Sequence, residues 1–321
     1  MHALIAPLAL LLERWLGYPP VILARIGHPV MWMGSLLSWL ETRLYRPGQS
    51  ARQRKTRGVV TMVVLLLATL VVTVLIQQIL RLLPFGFVLE ALLATAFLAQ
   101  KELGRAVQAV ADALLTSLAA GRDAVSHIVG RDPEQLDTAG VSRAAIETLA
   151  ESTSDGVVAP WFWLVLLGLP GIALYKAINT ADSMIGHRNE RYIDFGWAGA
   201  RLDDLVNLIP ARLTAVLVTI ACFFVPGASP SKAWQAAVRD ANKHRSPNSG
   251  WPEAAFAGAL GFSLGGPRSY DGEMVDLPTM GQGTTALGPY HIARALDLYR
   301  MTLTVLLVLS ALVALSVVLG L

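Results

Sequence analysis

RAAIETLAESTSDGVVAPWFWLVLLGLPGIALYKAINTADSMIGHRNERYIDFGWAGARLDDLVNLIPAR, residues 143–212, alternates apolar runs fit for a lipid core with clusters of Glu, Asp, Asn, Arg and His. Glu147, Glu151 and Asp155 recur every four residues, a spacing that stacks them on one helical face. Alone, such a run reads as a solvated acidic face. A second cluster downstream argues against that reading: Asn179, Asp182, His187, Arg188, Arg191, Asp194, Arg201, Asp203, Asp204 and Asn207. Ionisable groups this dense beside membrane-grade segments mark a functional site.

Working outward, 54% of the 321 residues are hydrophobic and only 15% are charged, where a soluble domain carries about 25%. The reading is an all-α polytopic membrane protein, a helical bundle of about five membrane segments with a helical polar insertion. The net charge of +3 fits basic cytoplasmic loops. The chain has no repeated arginine-aromatic platform of the kind nucleic-acid binders use. Cys222 is the single cysteine and lies in an apolar run, which excludes disulfides and thiolate metal sites. The first residues are not expected to be a signal peptide, because Glu13-Arg14 follows a short apolar stretch with no basic region before it.

Pro19-Pro20 breaks the first apolar run, and a helix is expected from Pro29 to Tyr45 with His28 as a capping residue. RPGQSARQRKTRG, residues 46–58, has five basic residues and no acid, which places it in the cytoplasm. Residues 59–83 are long enough to cross a bilayer. After the Pro84-Phe85-Gly86 turn, 87–100 return as a short segment. Residues 101–156 form the polar helical insertion and 228–301 a second polar region of what is expected to be one integral-membrane domain, 1–321. Membrane candidates at 205–225 and 302–320 complete the set. Within 157–175, Pro170 and the Gly168–Gly171 break suggest a re-entrant helical hairpin turning near Leu169.

The chain carries no P-loop, no dinucleotide-binding fingerprint and no HExxH, CxxC or GxSxG; Gly265-Gly266-Pro267 reads only as a turn. Its vocabulary is carboxylate, amide and guanidinium. Hard oxygen donors suit Mg²⁺, which takes one or two carboxylates and completes its shell with water and substrate phosphates. Arg188, Arg191, Arg201, Lys243 and Arg245 are the cations a phosphorylated substrate wants, arginine gripping phosphate with a bidentate fork. Asn179 and Asp182 share a helical face, Gly186 is expected to end that helix and leave His187 in a loop, and Asp203 and Asn207 stand four apart.

These residues fall in motifs that resemble the cobalamin-biosynthesis CobD/CbiB family, the adenosylcobinamide-phosphate synthases. The motifs are GHPVMWMG (27–34), IVGRDPEQLD (128–137), ESTSDGVVAPWFW (151–163), YKAINTADSMIGHR (175–188), GWAGARLDDLVNLIPARL (196–213) and HRSPNSGWPEAAFAGALG (244–261). They occur in family order. Two departures are Gly17-Tyr18-Pro19, where many relatives have an Asp, and Ser152, where they have an Asn.

The resemblance implies an ATP-dependent amide-forming ligase of the bacterial inner membrane with a cytoplasmic active site. It joins aminopropanol phosphate, or a related amino alcohol, to a carboxylate of adenosylcobyric acid. It implies Mg²⁺, ATP as co-substrate, membrane lipid and other late corrinoid-pathway enzymes as partners, and no nucleic acid. Residue chemistry and resemblance together nominate Glu151, Asp155, Asp182, His187 and Asp203 as catalytic, with Asp155, Asp182 and Asp203 as metal ligands. Arg188, Arg191, Lys243 and His244 are nominated to bind the phosphorylated ligands, with His244 also a proton-transfer candidate. The alternatives are a non-catalytic scaffold or sensor for late corrinoid enzymes, a Mg-dependent phospho- or prenyltransferase, and a transporter. A prenyltransferase wants repeated DxxxD pairs, and only Glu151/Asp155 and Asp203/Asn207 approach that spacing.

Overall fold

Local signals decide where the helices begin. Ser50 accepts a hydrogen bond from the Gln53 N–H at 3.3 Å while Gln53 Oε1 accepts from the Ser50 N–H at 3.0 Å, a reciprocal cap that starts the Ala51–Arg81 helix. His28 caps the Pro29–Leu44 helix, its Nδ1 accepting from the Val30 N–H at 3.3 Å. This is the structural role expected of it. Asp137 caps Thr138–Thr153 through the Gly140 N–H at 2.7 Å.

The computed structural model describes residues 2–129, 133–266, 268–270, 273–275 and 278–320. Gly130, Arg131 and Asp132 of the IVGRDPEQLD motif, and Pro267 of the expected turn, lie outside them. Most of the described chain is helical, and it has four strands of two or three residues. Leu264–Gly265 pairs antiparallel with Thr279–Met280, and Arg268–Tyr270 with Glu273–Val275.

Among the described residues three helices are long and apolar enough to cross a membrane: Ala51–Arg81, Thr138–Ile185 and Pro289–Leu319. A fourth is added if Trp197–Val206 and Leu208–Phe224 count as one span. The protein is thus an all-α multi-pass membrane protein, with three or four such spans among the described residues where about five segments are expected from the sequence. The difference lies in 87–100, whose helix is only Gly86–Thr95. Ten residues reach about 15 Å, half a bilayer core.

Two compact units are present. The first comprises Met1–Ala99, Ala159–Asn207 and Ser310–Leu321. In it the Ala51–Arg81 helix packs against Pro29–Leu44, Tyr192–Phe195, Trp197–Val206 and Ala159–Ile185. Its core includes Leu37, Leu40, Met62, Leu65, Ala181 and Phe195. The Ala159–Ile185 helix is broken at Gly168, whose φ of 68° and ψ of −154° exclude most side chains. Pro170 follows, its fixed φ ready to restart a helix. A Cβ on Gly171 would collide with the Trp163 carbonyl. In a straight helix those two residues stand about 12 Å apart, so the two arms bend sharply, one residue from the expected pivot at Leu169.

The second unit comprises Gln100–Val158 and Leu208–Leu309, and holds both polar regions. Here Gly250–Leu260 packs against Pro230–Asp240 and Leu208–Ala221, and Gln100–Thr116 against Leu118–Ser126 and Thr138–Thr153. Cys222 is buried and its thiol donates to the Val218 carbonyl at 3.2 Å.

Gly58 supplies a test of the first unit. A Cβ there would overlap the Phe195 carbonyl, so Gly58→Ala must push the Tyr192–Phe195 turn off the long helix. Overpacking of this kind costs on the order of 1–3 kcal/mol. The expected outcome is a lower unfolding midpoint in detergent; an unchanged midpoint would contradict the packing.

Candidate functional site

In the first unit, one chain of hydrogen bonds gathers the polar residues of two helices. Tyr175, Asn179 and Asp182 lie on the second arm of Ala159–Ile185, at spacings of four and three that keep them near one face. Asp203 lies on Trp197–Val206 and Asn207 caps it. The buried Tyr175 hydroxyl donates to Asn207 Oδ1 at 3.0 Å. Asn207 Nδ2 donates to Asp203 Oδ2 at 3.0 Å, and Asn179 Nδ2 to Asp203 Oδ1 at 3.4 Å. Lys176 Nζ reaches Asn179 Oδ1 at 3.5 Å. Asp203 is therefore held by an amide on each oxygen, and Asp182 stands close enough to set a second negative charge against it.

Two like charges gathered in an apolar setting need positive charge or a proton, and the Lys176 ammonium at Asn179 brings one such charge to the cluster. Carboxylate and amide oxygens are the donors a hard divalent ion prefers, and one or two carboxylates are its usual protein share. Asp182, Asp203 and the Asn179 carbonyl oxygen thus fit Mg²⁺ by donor chemistry. Among the described residues no three His, Cys, Asp or Glu side chains are grouped closely enough to hold a metal by themselves. Asp155, third of the expected ligands, is half-buried on a π-helical turn, Ser154–Val158. Such turns recur at functional sites, and nothing in a four-residue spacing announces one.

The expected phosphate cations part company. Arg191 spends its fork on Glu41, Nε at 2.9 Å and Nη2 at 2.7 Å from one oxygen, which Tyr192 Oη also meets at 3.0 Å. Its guanidinium also lies over the Tyr45 ring. That anchors the 186–196 segment to the Pro29–Leu44 helix, a job Arg54 shares by meeting Asp194 at 2.6 Å. Arg188 is exposed in the loop after Ile185, as is His187, whose ring faces Tyr192. The helix ends before Gly186 as the sequence suggests.

In the second unit, Glu151 accepts from Ser249 Oγ at 2.7 Å, and Glu147 from the Gly265 N–H at 2.7 Å. His244 Nδ1 accepts from the Ser246 N–H at 3.0 Å, so a neutral ring carries its proton on Nε2, which faces buried Glu253 at 3.6 Å. Arg212 lies over the Trp251 ring, 4.8 Å from its centre. Lys243 is committed elsewhere, 2.8 Å from Asp240 Oδ1 and 3.3 Å from the Thr279 carbonyl. Sequence reasoning missed Tyr175, Ser249, Trp251 and Glu253 as members of these clusters. Their places in the YKAINTAD and HRSPNSGWPEA motifs were the available signal.

These arrangements define an all-α multi-pass membrane protein that buries carboxylate–amide clusters beside apolar helices. The chain belongs to the CobD/Cbib protein family, whose pattern matches residues 6–299. It is similar to the cobalamin biosynthesis protein CobD of a Sinorhizobium species, 50% identical over 86% of each chain. It is also similar to those of Rhodobacter capsulatus, 48% over 93% of each, and Sinorhizobium fredii, 46% over 97% of each. No solved structure matches the chain.

The fully buried Asp240 yields a pH test. Burial raises its pKa, but hydrogen bonds from Arg239, Lys243 and the Gly281 N–H outweigh that and hold the carboxyl well below the usual carboxylate range. A depressed folded value stabilises the fold above the ordinary carboxylate pKa, about 4, and is lost as pH falls below it. Asp240→Asn should cost roughly 1–3 kcal/mol at pH 7. The gap from wild type should narrow below about pH 4; a pH-independent gap in thermal unfolding would refute this role.

Proposed function

We propose that the protein is the adenosylcobinamide-phosphate synthase of cobalamin biosynthesis, an ATP-dependent amide-forming ligase of the bacterial inner membrane that works from the cytoplasmic side. Its substrates are the carboxylate of adenosylcobyric acid and aminopropanol phosphate or a close amino alcohol. Family membership supports the pathway. The observation that carries the chemistry is the Tyr175–Asn207–Asp203–Asn179 chain with Asp182 beside it.

A carboxylate is a poor acylating agent until it is phosphorylated, so the site must hold a nucleotide and then present an unprotonated amine. Asp182 and Asp203 would hold Mg²⁺; when bound, the ion would screen the charge of the transferring phosphoryl group. Asn179 and Asn207 fix the Asp203 oxygens, and Tyr175 orients Asn207 in turn. Exposed Arg188 is the cation we assign to a substrate phosphate, since Arg191 and Lys243 already serve Glu41 and Asp240. Glu151, His187 and His244 are the proton-handling groups, and His244 is poised by Ser246 to offer Nε2.

Purified protein with adenosylcobyric acid, aminopropanol phosphate and Mg-ATP, read by mass spectrometry, tests the reaction; absence of the amide product would sink it. Asp203→Asn sets an amide donor against one of the two amides that now donate to Asp203, so it should lower the unfolding midpoint somewhat and cut turnover of the folded, membrane-inserted protein by roughly 10²-fold or more. Near-normal turnover would remove Asp203. Arg188→Lys keeps the charge and loses the fork, so it should raise KM for the phosphorylated amino alcohol more than for the corrinoid. An equal rise in both would assign Arg188 another role.

A further inference from the structure

The basic segment 46–58 is only partly explained by the contacts above. Arg54 is spent on Asp194 and on the Gln49 carbonyl, and Arg57 donates to the Leu44 carbonyl at 2.9 Å. Those bonds, with Gln49 Nε2 on the Leu44 carbonyl at 3.2 Å, fasten the end of the Pro29–Leu44 helix to the start of Ala51–Arg81. Four cations remain at that junction. Arg43, Arg46, Arg52 and Lys55 are all exposed, and none meets a carboxylate among the described residues. Arg52 and Lys55 are three apart and neighbours on one helical face.

Two of the four lie on aromatic rings that are themselves exposed. Arg43 stands over Trp39, 5.5 Å from the ring centre, and Lys55 over Trp197 at 3.7 Å. Trp39 is 54% exposed and Trp197 is 40% exposed. The helix that carries Arg52 and Lys55 then runs into a membrane-length apolar stretch, with Val59, Val60, Val63 and Val64 facing outward. Trp at the headgroup level beside cations that precede a span is the chemistry of a membrane interface. A nearby cleft of about 640 Å³, lined by Tyr45, Pro47, Arg54, Glu190, Arg191 and Ile193, suits an anion less well, because both its guanidinium forks are already paired.

We propose that Arg43, Arg46, Arg52 and Lys55, with Trp39 and Trp197, form a docking surface for anionic lipid headgroups. The occupant is phosphodiester lipid rather than a soluble phosphate, because the surface is exposed, continuous along its helix with outward-facing valines and bears two exposed tryptophans. The recognition is electrostatic, so charge matters and fork geometry does not. This surface is independent of the proposed ligase reaction.

The experiment is native mass spectrometry of the full chain in neutral detergent, titrated with phosphatidylglycerol or phosphatidylcholine. Wild type should retain phosphatidylglycerol in preference to phosphatidylcholine. A variant with Arg43→Gln, Arg46→Gln, Arg52→Gln and Lys55→Gln should lose that preference, by roughly fivefold for each charge removed. The variant Arg43→Lys, Arg46→Lys and Arg52→Lys should keep it, and both variants should unfold at the wild-type midpoint in lipid-free detergent. Equal retention of the two lipids, or undiminished retention by the Gln variant, would overturn the proposal. So would loss in the Lys variant, an altered lipid-free midpoint in the Gln variant, or displacement of the lipid by inorganic phosphate at matched charge.

Discussion

Hydrocarbon offers no hydrogen bonds, so each carboxylate this chain carries beside its apolar segments must be answered by another part of the same chain. Asp203 is met by two amides, Glu41 by an arginine and a tyrosine, Glu151 by a serine hydroxyl and Glu147 by a backbone N–H. The rest of the architecture follows from providing these partners. The Trp197–Val206 helix must lie against the second arm of Ala159–Ile185 for Asn179 and Asp203 to meet, and the break at Gly168 re-aims that arm.

Arginine does two kinds of work here. Arg54 and Arg191 are paired and tie segments of the first unit together, while Arg188 is exposed in the loop beside His187. Counting cations near a carboxylate cluster does not separate the two kinds. The separation comes from which guanidinium finds a carboxylate at hydrogen-bond distance, since a fork already closed on Glu41 has no second pair of donors aligned for phosphate. Asp240 shows the same economy in the second unit, where Arg239, Lys243 and the Gly281 N–H converge on one buried carboxylate and hold the Thr279–Met280 strand against the Pro230–Asp240 helix.

Much was legible in the sequence. Low charge with long apolar runs marked an all-α membrane protein, and the cap at His28 and the stop at Gly186 lie where short-range chemistry puts them. These signals are readable because capping and helix termination act within one turn of the chain. The polar residues that gather around Asp203 were also visible as a dense cluster, because composition alone reveals charge beside a span. Their partners were not. Arg191 finds Glu41 across 150 residues and Arg54 finds Asp194 across 140. The π-helical turn bearing Asp155 and the commitment of Lys243 to Asp240 were decided by tertiary structure. Periodicity states which face of a helix a side chain occupies; only packing brings two distant faces together, and the hydrogen bonds that define each cluster exist only once it has.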